Sequence, residues 1–359
     1  MTKNVHNFAA GPAILPAEVL KQASDACLNF DNLNLSLLEI SHRSKNFEAV
    51  MEESRTLVKE LLGVGDGYQV LFLGGGASLQ FAMAPSNLLR TDGTSGYVST
   101  GVWANKAIKE AKLIGNTKVL ASSEDKNYAY IPKGYEIPAD LDYVHVTSNN
   151  TIFGTQMKSY PKTNVPLVCD MSSDMFSKPI DGNLFSLIYS GAQKNMGPAG
   201  TTMVAVREDA LGKTGRKILS MLDYQVQIKG GSMYNTPPVF PIYVCLLTLR
   251  WLKQNGGLKW IEKVNDDKAA LMYGEIDRNT MFQGTVIDTI DRSNMNACFV
   301  MKNAALEAEF DKMWKDAGIS GIRGHRDVGG YRASMYNALP LVSVQTLVDV
   351  MKQFEKQFA

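Results

Sequence analysis

Phe185-Ser186-Leu187-Ile188-Tyr189-Ser190-Gly191-Ala192-Gln193-Lys194-Asn195-Met196-Gly197-Pro198-Ala199-Gly200 leads into Thr201-Thr202-Met203-Val204-Ala205-Val206. Two apolar runs, 185–189 and 203–206, flank a loop rich in glycine and proline. Short apolar runs bounded by turn residues read as buried strands. Lys194 therefore lies in a tight connection between two core strands, not on a solvated helix face. Upstream, Val165-Pro166-Leu167-Val168-Cys169 reads as a further buried strand and ends in Asp170.

The same alternation extends in both directions. Pro16 opens a helix, with proline in a first turn where its missing donor costs nothing. Phe47 to Leu62 has helical periodicity, and Gly63 ends it. Tyr68 to Leu73 reads as a strand, followed by Gly74-Gly75-Gly76-Ala77-Ser78 and a helix from Leu79. Tyr97-Val98-Ser99, Val119-Leu120 and Tyr143 to Val146 continue the strands, with a helix that follows Trp103 and runs through Ala111. Strands separated by helices or long crossovers imply a mostly parallel, doubly wound α/β sheet, whose ligands gather at the carboxyl ends of the strands. Past Gly256-Gly257 the pattern changes. A long helix, about Ile261 to Arg278, precedes short strands near Cys298 and Arg332, a helix from Leu306 to Ala317 and a final helix from Val342 to Phe358. The expected division is a large domain over 16–265 and a small α+β domain made of 1–15 and 266–359.

With 359 residues the chain is long for one core, which supports two lobes. A net charge of +1 gives no nucleic-acid footprint and no polybasic membrane surface, so anion binding must come from locally placed groups. No apolar stretch approaches a membrane span. Met1 to Phe8 lacks an apolar signal region, and the expected location is the cytoplasm. Cys27, Cys169, Cys245 and Cys298 are widely spaced, and His6, His42, His145 and His325 are scattered. Neither set has metal-ligand spacing, so no metal is expected.

A lysine and an acid, each at the end of a core strand, fit a site for pyridoxal phosphate. Lys194 would form the Schiff base, and Asp170 would bind the pyridinium nitrogen and hold its proton. The plain alternative for Lys194 is a solvated charge. Gly76, Ala77 and Ser78 follow a strand and open a helix, a place suited to a phosphate, although glycine triplets also make tight turns. Trp103 could stack on a ring or simply fill a core. Thr151, after a strand, could donate to a ring oxygen or belong to a turn. Asn235 and Thr236 offer small donors before Pro237-Pro238. His42-Arg43 and His325-Arg326, with Arg332, are cationic groups suited to carboxylate and phosphate, or to plain solvation.

Several long motifs, in order, resemble the phosphoserine aminotransferases, a family of fold-type-I, class V pyridoxal phosphate enzymes. They are Asn7-Phe8-Ala9-Ala10-Gly11-Pro12-Ala13, Ser41-His42-Arg43-Ser44-Lys45, the Lys194 stretch from Tyr189 to Gly200, Gly231 to Pro238, and Gly324 to Ser334. The resemblance covers essentially the whole chain. It implies that Lys194 carries the cofactor and shuttles a proton, that Asp170 pairs with the pyridinium, that Trp103 stacks on the ring and that Thr151 contacts its oxygen. Gly76, Ala77, Ser78 and Gln193 would hold the cofactor phosphate. Asn235 and Thr236 would reach it from the partner subunit of a homodimer. His42, Arg43, His325, Arg326 and Arg332 would bind substrate anions. The implied reaction moves an amino group from L-glutamate to 3-phosphohydroxypyruvate in serine biosynthesis. A longer phosphorylated 2-oxo acid of pyridoxine biosynthesis is an additional implied substrate. Some members carry an arginine in the glycine-rich loop, where this chain reads Gly76-Ala77-Ser78-Leu79-Gln80. The alternatives are another enzyme of the same fold, such as an alanine/serine-glyoxylate aminotransferase, and a non-catalytic binding protein.

Overall fold

A computed structural model describes residues 5–326 and 328–359. Met1 to Asn4 of the amino-terminal reading, and Asp327 of the Gly324 to Ser334 motif, lie outside the described residues. The chain begins with β1 (His6–Asn7), α1 (Ala17–Leu28) and α2 (Lys45–Leu62). There follow β2 (Tyr68–Leu73), α3 (Gly76–Leu88), β3 (Thr94–Ser99), α4 (Val102–Ile114), β4 (Asn116–Ser122) and β5 (Tyr143–Thr147). Next come β6 (Leu167–Asp170), β7 (Leu187–Gly191), β8 (Thr202–Arg207), α5 (Tyr224–Lys229), α6 (Val239–Gln254) and α7 (Gly257–Arg278). The last part holds β9 (Phe282–Gly284), β10 (Asn296–Met301), α8 (Glu307–Asp316), β11 (Ile319–Ser320), β12 (Tyr331–Ser334) and α9 (Leu341–Phe358).

Seven strands form one sheet in the order β2-β8-β7-β6-β5-β3-β4. All run in one direction except β8, which is antiparallel to both neighbours. Its inner strands are buried along almost their whole length because both faces are covered, while the edge strand β4 is largely exposed. The pleat divides them: Leu167 and Cys169 of β6 join the core under α2 and α6, while Val168 faces the core that holds Phe81 of α3 and Ile108 of α4. This fold is the mostly parallel α/β architecture of the fold-type-I enzymes, with one refinement. The run 203–206 pairs antiparallel with β7, so the Lys194 loop joins adjacent strands without a helix. Several helices also start earlier than their periodicity indicates, among them α2 at Lys45, α3 at Gly76, α4 at Val102 and α7 at Gly257.

A second core surrounds the antiparallel sheet β12-β10-β9. Phe282, Phe310 and Tyr331 pack there, with ring centroids 4.8 Å apart for the first pair and 5.0 Å for the second. β1 pairs with β11, and Phe8 enters this core. α7 spans both: Ile261 belongs to the large sheet's core, while Ala269, Met272 and Ile276 belong to the second. No helix among the described residues is long and apolar enough to cross a membrane.

Candidate active site

β6 and β7 end side by side, with Asp170 in register with Tyr189. The loop that leaves β7 is pinned at several points. Ala192 N donates to Thr201 O at 3.1 Å, and Gly197 N donates to Ala192 O at 2.9 Å. A Cβ on Gly197 would lie 2.6 Å from the Cys245 sulfur, so the loop approaches α6 as closely as only glycine permits. Ala13 N donates to Gln193 O at 2.9 Å, and Asn195 Oδ1 accepts from Asn337 N at 3.0 Å. Lys194 is thus held by both ends of the chain as well as by its own strands.

Lys194 Nζ donates to Thr151 Oγ1 at 2.7 Å and lies 5.8 Å from the centre of the Trp103 ring. Trp103 sits in the first turn of α4, and its buried indole Nε1 has no partner among the described residues. Burial pulls Lys194 down to about 8; the Asp170 charge opposes this and the Arg332 charge adds to it. Asp170 is 4% exposed and accepts from Ser172 N at 2.9 Å. Burial pushes its carboxyl above the usual range, while the Ser172 hydrogen bonds and Lys194 pull the other way. Such a buried carboxylate still lacks a strong donor, which a protonated ring nitrogen supplies. Gly76, Ala77 and Ser78 form the first turn of α3, where Gly75 turns the chain at φ +89°. First-turn amides have no intrahelical acceptor, and all three residues are at least partly exposed. Neutralisable amine, buried acid, aromatic face and free amide donors are the groups pyridoxal phosphate requires, and they fit it.

The other residues singled out in the sequence are placed less uniformly. Arg332 joins the centre: its Nη1 donates to Thr151 O at 3.3 Å, and its buried Nε has no partner among the described residues. Gln193 is partly buried beside Lys194. Asn235 and Thr236 are exposed and share with Gly74 and Gly75 of the same chain a pocket of about 440 Å³. His42 and Arg43 precede α2, Arg43 exposed and His42 partly buried with Nε2 unpartnered. No hydrogen bond or ion pair among the described residues joins either of them to Lys194 or Arg332. His325 is partly buried and Arg326 exposed, and both are engaged by other residues. Sequence reading overlooked Ser148, Ser172 and Asp174. Their one signal was a polar run, Ser172-Ser173-Asp174, inside an apolar neighbourhood. Among the described residues no cluster could hold a metal.

Known proteins resemble this chain along nearly its whole length. Residues 5–347 match the family model for aminotransferase class-V. A phosphoserine aminotransferase of Flavobacterium psychrophilum is 64% identical over 353 residues, covering 98% of this chain and 99% of that protein. A solved phosphoserine aminotransferase from Bacillus circulans subsp. alkalophilus superposes with a TM-score of 0.96 at 46% identity, covering 99% of each chain. A phosphoserine aminotransferase from Trichomonas vaginalis, solved with pyridoxal phosphate bound, gives 0.92 at 33% identity and covers 97% of this chain and all (100%) of that one.

Proposed function

The chain belongs to the aminotransferase class-V family, whose pyridoxal phosphate chemistry it shares, and we propose that it moves an amino group reversibly between L-glutamate and 3-phosphohydroxypyruvate, giving O-phospho-L-serine and 2-oxoglutarate. The observation that carries this reading is the cluster of Lys194, Thr151 and Arg332 beside buried Asp170. It brings a neutralisable amine and a guanidinium, whose Nε has no partner among the described residues, onto the same threonine. The phosphorylated substrate is supported by relatives named for it at high identity.

Pyridoxal phosphate, when bound, supplies a ring that withdraws electrons from the substrate's Cα. Lys194, Asp170, Trp103, Thr151, Gln193 and the first turn of α3 (Gly76, Ala77, Ser78) are the residues that would hold it. Asp170, as carboxylate, keeps a proton on the ring nitrogen. Lys194 Nζ, once neutral, takes the proton from Cα and returns it, with Thr151 Oγ1 fixing its direction. Its lowered proton affinity suits both transfers, since a base works best near the ambient pH. Arg332 offers a fork for a carboxylate. His42, Arg43, His325 and Arg326 would supply the remaining cationic contacts, which suits a doubly anionic substrate. The site is completed in a homodimer, where Asn235 and Thr236 reach the partner's phosphate. The cytoplasmic location and the serine-biosynthetic role belong to the same proposal.

The test is the visible band of the purified holoenzyme. L-phosphoserine alone should bleach it as the amino group is transferred. A band unmoved by phosphoserine but bleached by alanine would replace the substrate and keep the reaction.

A further inference from the structure

A second buried acid, Asp174, follows Asp170 four residues later. Asp174 is 7% exposed and is held one short turn beyond β6, its N–H donating to Met171 O at 3.2 Å. One carboxylate oxygen accepts from Ser148 Oγ, and the other accepts from Gln156 Nε2 at 3.1 Å. Ser148 Oγ also lies 3.1 Å from the carbonyl oxygen of Asp170, to which Ser148 N donates at 3.0 Å. Outward, Lys158 Nζ donates to Gln156 Oε1 at 2.7 Å and to Asn294 Oδ1 at 2.9 Å. Asn294 Nδ2 donates to Asp266 of α7 at 2.6 Å. Lys158, Asn294 and Asp266 line a groove of about 530 Å³. A continuous polar chain thus runs from that groove to the backbone of Asp170.

Burying a carboxyl costs several kcal/mol unless donors meet it, and an apolar side chain would close the same turn without that cost. Retaining an acid here has a positional and electrostatic consequence. We infer that Asp174 is a positioning residue for the transamination: through Ser148 it fixes the backbone that presents Asp170, and its negative charge helps hold protons on the groups around Lys194. The groups facing it are Asp170 and Cys169 from β6, Lys158 and Tyr160 from the segment after β5, and Lys178. Burial holds the Asp174 carboxyl up, while Ser148, Gln156 and the two lysines pull it down. In turn, the Asp174 charge favours the proton on Lys194.

The inference rests on cofactor binding and not on the phosphorylated substrate. The experiment titrates the visible band of the holoenzyme against pH in wild type, Asp174→Asn, Ser148→Ala and the double variant. It also follows the rate at which L-glutamate bleaches that band. Removing the charge lowers proton affinity, and so does removing the Ser148 donor that keeps the charge in place. Each single variant should therefore lower the midpoint by about half a pH unit, and Asp174→Asn should slow bleaching about tenfold. The double variant should be no worse than Asp174→Asn, because Ser148 acts through Asp174. Unchanged midpoints with only a lower melting temperature, or additive effects, would overturn the inference. Should Asp174→Asn not fold, Gln156→Leu decides: it leaves the acid but removes a donor, and a midpoint that does not fall overturns the idea. Bleaching by L-glutamate without response to L-phosphoserine would remove the substrate reading alone.

Discussion

Lys194 concentrates the chemistry at the residue scale. Burial brings its amine from the ordinary 10.5 to about 8, against the pull of Asp170. Below that value the amine holds its proton and cannot attack a carbonyl; above it the neutral form dominates. The apoprotein should therefore combine with pyridoxal phosphate faster as pH rises, with a midpoint near 8 rather than near 10.5. Initial rates of growth of the visible band, measured over that range, check this. Lys194→Ala should lower turnover at least about a thousandfold, and activity close to wild type would remove the residue from the mechanism. This residue and Asp170 were legible because each ends an apolar run, a local signal. Ser148 and Asp174 were not. Their contact joins the tails of β5 and β6, 26 positions apart, and only the parallel pairing of those strands brings it about. Arg332 was visible as a cation, but its partner Thr151 is 181 positions away.

Elements carry the same lesson through burial. The centre of the large sheet could be read strand by strand because both of its faces are covered there, so β6, β7 and β8 carry apolar runs, whereas the exposed edge strand β4 showed only Val119-Leu120. The reversal of β8 could not, since an apolar run has no direction. α7 hides a different feature, a lysine that is fully buried without a carboxylate. Lys268 Nζ donates to the carbonyls of Met335 at 3.1 Å and Tyr336 at 2.7 Å. The next residue, Asn337, braces Asn195 of the Lys194 loop. The helix thus holds the loop through the chain leaving β12. Burial lowers Lys268 from 10.5 to about 7. Between those values the unfolded chain binds more protons than the native one, so this group makes stability rise with pH across that window and no further. Lys268→Met should cost about 1–3 kcal/mol near neutrality, by leaving two buried carbonyls unpaired. It should also flatten the rise of melting temperature from pH 7 towards 10.5. An unflattened curve would assign that rise to other groups, such as Lys158 and Lys194, both lowered to about 8.

At the scale of the whole molecule, two cores meet along α7. We propose that the domains divide within that helix, 16–265 against 1–15 with 266–359. Leu219, Met221 and Tyr234 are 74%, 49% and 49% exposed, and Met221 lines the same pocket as Asn235 and Thr236. Large apolar side chains exposed beside this pocket suit burial against another chain. If a homodimer shares its sites there, each site takes Lys194 from one chain and Asn235 with Thr236 from the other. Two inactive variants should then repair each other. In a hybrid of a Lys194→Ala chain and a chain carrying Asn235→Ala and Thr236→Ala, one site collects every defect and the other collects none. Equal mixing with free exchange makes half the dimers hybrids, so activity should return to about a quarter of wild type. Unshared sites would give only the mean of the two parents. Recovery measured after unfolding and refolding the mixture, against each variant refolded alone, separates these outcomes, because only exchange of subunits can build an intact site from two broken chains.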